Sequence, residues 1–291
     1  MPGTLYLIPT PLGDTPLEWV LPEETRRIAA GLEVFIVERA KTARAFLKRL
    51  DTRQPLQAIR LLELNEHTPA DALPRLLEPL LSGEDVGLLS EAGCPAVADP
   101  GAPLVRLAHA HGIRVRPLVG PSALLLALMG SGLSGQRFAF HGYLPAKPQA
   151  RAEALRALER RAEANDEAQL FIETPYRSQA LFAAVLETCR EDSWLSVACD
   201  LTTPSETLLT QTIAQWRDST MMRSTRQNDS VAPAQAGAHE QHRISVCAGM
   251  TAVQYLRAGS IADRPCVFAL WRPPKAPRLH ANVASPRRTP S

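Results

Sequence analysis

Ser90-Glu91-Ala92-Gly93-Cys94-Pro95-Ala96-Val97-Ala98-Asp99-Pro100-Gly101 follows the apolar run Asp85-Val86-Gly87-Leu88-Leu89 and precedes a helical pattern beginning near Ala102. The apolar run reads as a buried parallel strand, because strands covered on both faces lose the alternation of half-exposed ones. The loop behind it is built from small residues, glycine, proline and two carboxylates. Gly93 and Gly101 open backbone conformations closed to other residues, and the prolines stiffen what lies between. In open α/β sheets, ligands bind at loops on the carboxyl ends of strands. A tight strand-to-helix connection with no ligand has the same composition, so this loop alone leaves both readings open.

Outward from this junction the chain alternates strand and helix patterns. Thr4 to Ile8 is a short apolar run that ends in Pro9-Thr10-Pro11-Leu12-Gly13-Asp14, a second strand-to-loop junction. Strands are expected at 32–37, 59–64 and 115–119, and helices at 41–50, 70–81, 104–111 and 122–129. That rhythm implies a parallel sheet with helices on both faces. Gly130-Ser131-Gly132-Leu133-Ser134-Gly135 reads as a hinge. Beyond it, strands at 138–143, 169–173 and 195–200, helices at 150–164 and 178–190, and a mixed stretch at 206–216 make a smaller α/β unit. Pro265 to Trp271 returns as a strand of that unit. The expected organisation is therefore an N-terminal α/β domain over 1–132 and a smaller mixed-sheet C-terminal α/β domain over 136–217 and 264–272, with a cleft between them. A polar, aromatic-poor segment over 218–263 reads as a disordered insertion. The tail over 273–291, rich in Pro and Arg with no acidic residue, reads as disordered and basic.

At 291 residues with 45% hydrophobic and 21% charged residues, the chain has the size and composition of two ordinary globular domains. A net charge of +2 does not announce nucleic-acid binding, so any basic site must be local. Five scattered cysteines, at 94, 189, 199, 247 and 266, form no CxxC pair; they argue against a zinc site or a disulfide framework and fit a reducing cytoplasm. No signal peptide or membrane-length apolar run is read, and the protein is expected to be soluble and cytoplasmic.

Two further loops, Gly120-Pro121-Ser122-Ala123 and Gly142-Tyr143-Leu144-Pro145, complete a pattern that no one loop carries. Together, in this order, they resemble the tetrapyrrole methylase family of S-adenosylmethionine-dependent methyltransferases, most closely its small-subunit ribosomal RNA 2′-O-methyltransferase branch. The resemblance covers roughly 3–216, with Pro265 to Trp271 similar to the family's final strand. Thr10-Pro11-Leu12-Gly13-Asp14 is similar to the family's Thr-Pro-x-Gly-(Asn/Asp) loop, and positions 90–101 to its Ser-Asp-Ala-Gly-x-Pro…Asp-Pro-Gly loop, with Glu91 in place of Asp. Val119 precedes Gly120-Pro121-Ser122-Ala123 where the family has proline, and Ile172-Glu173-Thr174-Pro175-Tyr176-Arg177 resembles Tyr-Glu-Ser-Pro-His-Arg. The chain departs at Glu38-Arg39-Ala40-Lys41, where the branch has Glu-Asp-Thr-Arg, and at Asp200-Leu201-Thr202-Thr203, where it has Glu-Leu-Thr-Lys.

The resemblance implies S-adenosylmethionine as cofactor, no metal, a ribosomal RNA or small-subunit partner, no membrane, and a homodimer. Pro11, Gly13, Ser90, Glu91, Ala92, Gly93, Asp99, Ser122, Ala123, Tyr143, Glu173 and Pro175 are the expected cofactor-binding residues. Small residues at helix starts expose backbone N–H donors for a carboxylate, and acidic side chains can take amino or ribose groups. Glu38, Lys41, His67, Lys147 and Arg177 are the candidates for assisting the weakly nucleophilic acceptor hydroxyl, and none is singled out. Several of these residues have a plain structural alternative: Asp99 and Ser122 as helix caps, His67 as a surface residue at a helix start, Glu173 as a backbone acceptor. Arg39, Lys41 and Arg44 gather at a helix start, which the macrodipole disfavours. They read as solvated charge or as contacts to a phosphate-bearing partner. Two other functions remain open: methyl transfer to a tetrapyrrole or other small molecule, and a module that binds the cofactor but has lost turnover.

Overall fold

The computed structural model describes residues 1–218, 261 and 264–274. The expected insertion over 218–263 and tail over 273–291 lie almost wholly outside the described residues. The first half builds a five-stranded, all-parallel sheet from β1 (Thr4–Ile8), β2 (Val34–Val37), β3 (Arg60–Glu63), β4 (Val86–Leu89) and β5 (Arg114–Pro117), ordered β3-β2-β4-β1-β5. The second half builds a mixed sheet from β6 (Phe138–Tyr143), β7 (Ala168–Glu173), β8 (Trp194–Cys199), β9 (Thr207–Thr212) and β10 (Cys266–Trp271), ordered β6-β7-β10-β8-β9. Only β6 and β7 run parallel there; β10 lies at the centre, antiparallel to β7 and β8. This is the α/β architecture the sequence implies.

The unbroken apolar runs are explained by two buried faces. Along β2, Phe35 and Val37 join Ile8, Leu89, Phe46 and Leu47 on one side, while Val34 and Ile36 join Leu5, Val86, Leu88 and Leu104 on the other. Gly87 keeps the first face flat: a Cβ there would lie 2.7 Å from Phe35 and 2.8 Å from Ile8. In the second sheet Phe171 and Phe268 stand opposite each other on β7 and β10 and stack at 5.6 Å. Fully burying side chains of this size stabilises by roughly 1.5–3 kcal/mol each.

Several expectations need correction. Nothing in the sequence reading occupies 15–31, yet α1 (Leu17–Val20) and α2 (Glu23–Gly31) lie there; α2 buries only Thr25 and Ala29, too thin an apolar stripe to read. Next come α3 (Ala40–Lys48), then a 3₁₀ turn (Ala70–Ala72) with α4 (Leu73–Leu76) and α5 (Glu78–Leu81) where one helix was expected. Pro74 and Pro79 each sit near the start of a short helix, consistent with proline's removal of a backbone donor. After α6 (Ala102–Ala110), α7 (Ala123–Ser131) runs through Gly130 and Ser131, so the expected hinge begins inside a helix. A Cβ on Gly130 would lie 2.3 Å from Leu208, because α7 packs against the second sheet. The second half adds α8 (Pro148–Asn165) and α9 (Pro175–Thr188). In the mixed stretch, β9 is followed by a helical turn over 213–218.

The reading that the cysteines form no disulfide is also corrected. Cys199 and Cys266 are joined as a disulfide across β8 and β10, their Cα atoms 4.4 Å apart. A separation of 67 residues hides the pairing in the sequence; strand register puts the two cysteines opposite each other.

Candidate functional site

Because β4, β1 and β5 are neighbours in the sheet, the loops at their carboxyl ends must meet. Thr10 N donates to Gly93 O at 2.9 Å and Gly93 N returns the bond to Thr10 O at 3.0 Å. The Ser90 hydroxyl donates to the same Gly93 carbonyl at 2.8 Å. The Cys94 thiol donates to Pro121 O at 3.4 Å, which ties the third loop to the second. Gly93 holds a left-handed φ of 77°, a conformation that a side chain penalises. A Cβ on Gly120 would stand 2.4 Å from Cβ of Pro9, so only glycine lets the first and third loops close.

The loop after β4 also carries strain. Ala96 and Ala98 adopt φ of 64° and 61°, each costing on the order of 1–3 kcal/mol. Such backbone clusters at ligand clamps and switch regions. The N-cap of α6 is Gly101, with no side-chain cap, so Asp99 does not take the capping role that was its structural alternative. Ser122 does take its own: its hydroxyl accepts Leu125 N at 3.5 Å and caps α7.

Asp99 instead faces acid. Burial, then the Glu38 and Glu91 carboxylates, push its pKa from 3.8 up to about 6. Burial and Glu91 raise Glu38 as well. Burial and the charges of Asp99, Glu173 and Glu38 raise the Tyr143 hydroxyl, so one acidic wall runs from the first sheet to the second. Between about pH 4 and 6 the folded chain binds a proton that the unfolded chain has lost, so this residue's contribution to stability falls as pH rises through that window. Asp99→Asn should therefore stabilise the protein at pH 7.5. Solvent screening holds the gain to about 1 kcal/mol, or about 2–4 °C in melting temperature. Melting curves at pH 4 and 7.5 should show the gain only at the higher pH.

The second sheet supplies the opposite wall. A cavity of about 230 Å³ lies between Leu12, Ala92 and Ala123 on one side and Tyr143, Glu173, Pro175, Asp200 and Cys266 on the other. Glu173 is buried at the end of β7, where Oε1 accepts Thr174 N at 2.8 Å and Oε2 accepts Arg177 at 2.6 Å. Arg177 also donates to Leu144 O at 3.3 Å. The Thr15 hydroxyl donates to Thr202 O at 2.8 Å, a direct tie between the two halves.

A second cavity of about 340 Å³ shares Leu12 and Ala92 with the first and adds Pro11, Gly13, Ser90 and Glu91, facing Thr42, Phe46 and Arg49 of the α3 segment. Together the two cavities gather most of the expected binding residues. The remaining candidates separate. Glu38 is half-buried on the acidic wall, whereas Lys41, His67 and Lys147 are exposed and line neither cavity. His67 lies 3.6 Å from Glu66 with both side chains in solvent.

Sequence reasoning missed Thr42, whose hydroxyl donates to Glu91 Oε1 and fixes that carboxylate at the start of α3. It also missed Asp200 and Cys266 as cavity residues. Asp200 accepts Arg264 Nε at 2.6 Å, and its left-handed φ of 50° is the one local signal a sequence could have hinted at. Among the described residues no group of His, Cys, Asp and Glu is arranged to hold a metal, and no helix is long and apolar enough to cross a membrane.

No family model matches the chain. Curated relatives do. Over 239 residues, 81% of this chain and 77% of the relative, it is 34% identical to a ribosomal RNA small subunit methyltransferase I of Mesorhizobium japonicum. The protein of the same name from Pseudomonas aeruginosa is 32% identical over 216 residues, 74% of this chain and 72% of the relative. The one from Xylella fastidiosa is 40% identical over 154 residues, and that match spans about half of each, 53% of this chain and 54% of the relative. Among solved structures, the methyltransferase CobJ shares the fold at a TM-score of 0.53 and 18% identity, covering 93% of this chain and 100% of that one.

Proposed function

Because the chain belongs to the ribosomal RNA small subunit methyltransferase I branch of the tetrapyrrole methylase family, we propose that it transfers a methyl group from S-adenosylmethionine to a ribose 2′-oxygen of small-subunit ribosomal RNA. The observation that carries the proposal is the closure of three glycine- and proline-rich loops at the carboxyl edge of the parallel sheet, opposite Glu173 at the end of β7 and Pro175 at the start of α9.

The residues present fit the cofactor. It is a cation at sulfur, and the wall of Glu38, Glu91 and Asp99 raises the carboxylate pKa values that an approaching cation would lower again. Beside the first cavity, Arg177 is spent on Glu173 and Arg264 on Asp200. Gly93 and Gly120 are packed so closely that a Cβ would crowd the neighbouring loop, which favours close approach of backbone to ligand. In this reading Ala92, Gly93, Ser122 and Ala123 hold the methionine end through backbone, and Glu91 or Asp99 takes its amino or ribose groups. Bound there, the cofactor supplies an electrophilic methyl group.

The protein's own contribution is alignment and proton handling. Holding acceptor oxygen, methyl and sulfur in line is worth up to roughly 7–11 kcal/mol. Asp99, whose pKa burial and its acidic neighbours push up to about 6, has a carboxylate suited to accept the hydroxyl proton. Incubation with methyl-tritiated cofactor and small ribosomal subunits tests the proposal. A 2′-O-methyl group blocks alkaline cleavage at its nucleotide, so the label is expected in alkali-stable dinucleotides. Label released in mononucleotides, or none in RNA, would overturn it.

A further inference from the structure

Arg39 to Arg53 holds six bases, Arg39, Lys41, Arg44, Lys48, Arg49 and Arg53, against the single acid Asp51. Within α3, Lys41, Arg44 and Lys48 recur at i, i+3 and i+7 and form one exposed stripe about 10 Å long. No ion pair among the described residues holds any of the three. The opposite face of the helix, Ala43, Phe46 and Leu47, is buried, so the stripe is rigidly presented. Its position matters more than its charge. Thr42, inside the same helical turn, bonds Glu91 of the acidic wall. Arg49, one residue past the helix, lines both the cavity beside Glu91 and a larger one of about 550 Å³. The larger cavity is lined by Arg26, Arg27, Arg49 and Arg53 together with Glu18, Glu23 and Asp51, a surface of mixed charge, whereas α3 itself carries no acidic residue.

The wall beside the cleft is acidic and repels phosphate, so an RNA acceptor needs a cationic surface just outside it. We infer that the exposed Lys41–Arg44–Lys48 stripe of α3 is a phosphate-binding track that carries the backbone of the acceptor RNA strand to the mouth of the cleft. The track rests on the proposed RNA acceptor. It takes phosphate contacts without reading bases, as basic side chains on RNA backbones do. Arg39, exposed at the N-cap of α3, adds a further base at the position where the family pattern has an acid.

The test is the double variant Arg44→Gln/Lys48→Gln, which spares Lys41 and leaves α3's buried face untouched. Binding of protein-free small-subunit RNA is followed across a salt series, with calorimetric titration of the cofactor in parallel. Losing two phosphate contacts should weaken RNA binding about tenfold and flatten the slope of log K against log salt by about 1.4, the value for single strands. Cofactor affinity should not change, and the charge-keeping Arg44→Lys/Lys48→Arg variant should restore both RNA readouts. Unchanged RNA affinity and slope in a variant that still binds cofactor would overturn the track. Loss of binding to intact subunits but not to protein-free RNA would also overturn it, assigning the stripe to a protein partner. If the wild-type protein methylates no RNA, the functional proposal fails and the track with it; if it methylates RNA and the double variant binds RNA normally, the track alone fails.

Discussion

Gly120→Ala is expected to abolish most methyl transfer while leaving a folded protein. The added Cβ would lie 2.4 Å from Cβ and 2.8 Å from Cγ of Pro9, and 3.0 Å from Leu21. A proline ring has no rotamer to escape into, so the loops after β1 and β5 must part. Overpacking of this kind costs about 1–3 kcal/mol. The larger effect falls on the site, where a shift of about 1 Å can cost roughly a hundredfold in rate. Cofactor affinity by calorimetry should fall with the rate. The matched control is Gly112→Ala. Gly112 has φ of 67° but open space where its Cβ would go, and it lies between α6 and β5 at the opposite end of the strands. Its substitution should cost about 1 kcal/mol of stability through backbone strain and leave cofactor affinity as it was. Equal loss of cofactor affinity in both variants would mean that Gly120 acts only through global stability.

Arg177→Ala should be the most destabilising single change near the cleft, by about 3 kcal/mol. Its partner Glu173 has a side chain that is 0% exposed, while Arg177 is 29% exposed. Removing one member of a buried pair strands the other, at about 3–5 kcal/mol; the partial exposure of Arg177 argues for the lower end. Glu173→Gln should cost less, since Thr174 N keeps an oxygen to bond and Arg177 can turn to water. The combination Glu173→Gln/Arg177→Ala should recover part of the Arg177→Ala loss. Denaturant unfolding of the four proteins gives the coupling directly, and strict additivity would show that the pair does not hold the β7–α9 corner. The same geometry makes Arg177 a positioning residue for Glu173.

How far the sequence reached follows from what kind of signal each feature leaves. The loops after β1, β4 and β5 announce themselves because close backbone approach demands glycine, and Gly93 and Gly120 are where that demand falls. The buried strands announce themselves as apolar runs covered on both faces. The helix α2 does not, since two buried residues make no periodic stripe. Thr42 looked like an ordinary helix residue, because its bond to Glu91 spans 49 positions. The Cys199–Cys266 pair was hidden because only the strand register of β8 and β10 creates it. Local chemistry is written locally. Partnerships between distant residues exist once the sheets have set their order.

In the proposed function, loops far apart in the chain close around a sulfonium nucleoside at the edge of the parallel sheet. The most direct measurement is a crystal structure of the protein with S-adenosylhomocysteine at saturating concentration. The predicted result is the nucleoside between the Ser90–Asp99 loop, Gly120–Ala123 and the Glu173–Pro175 corner. Ligand bound elsewhere on the molecule, with those loops unoccupied, would contradict it.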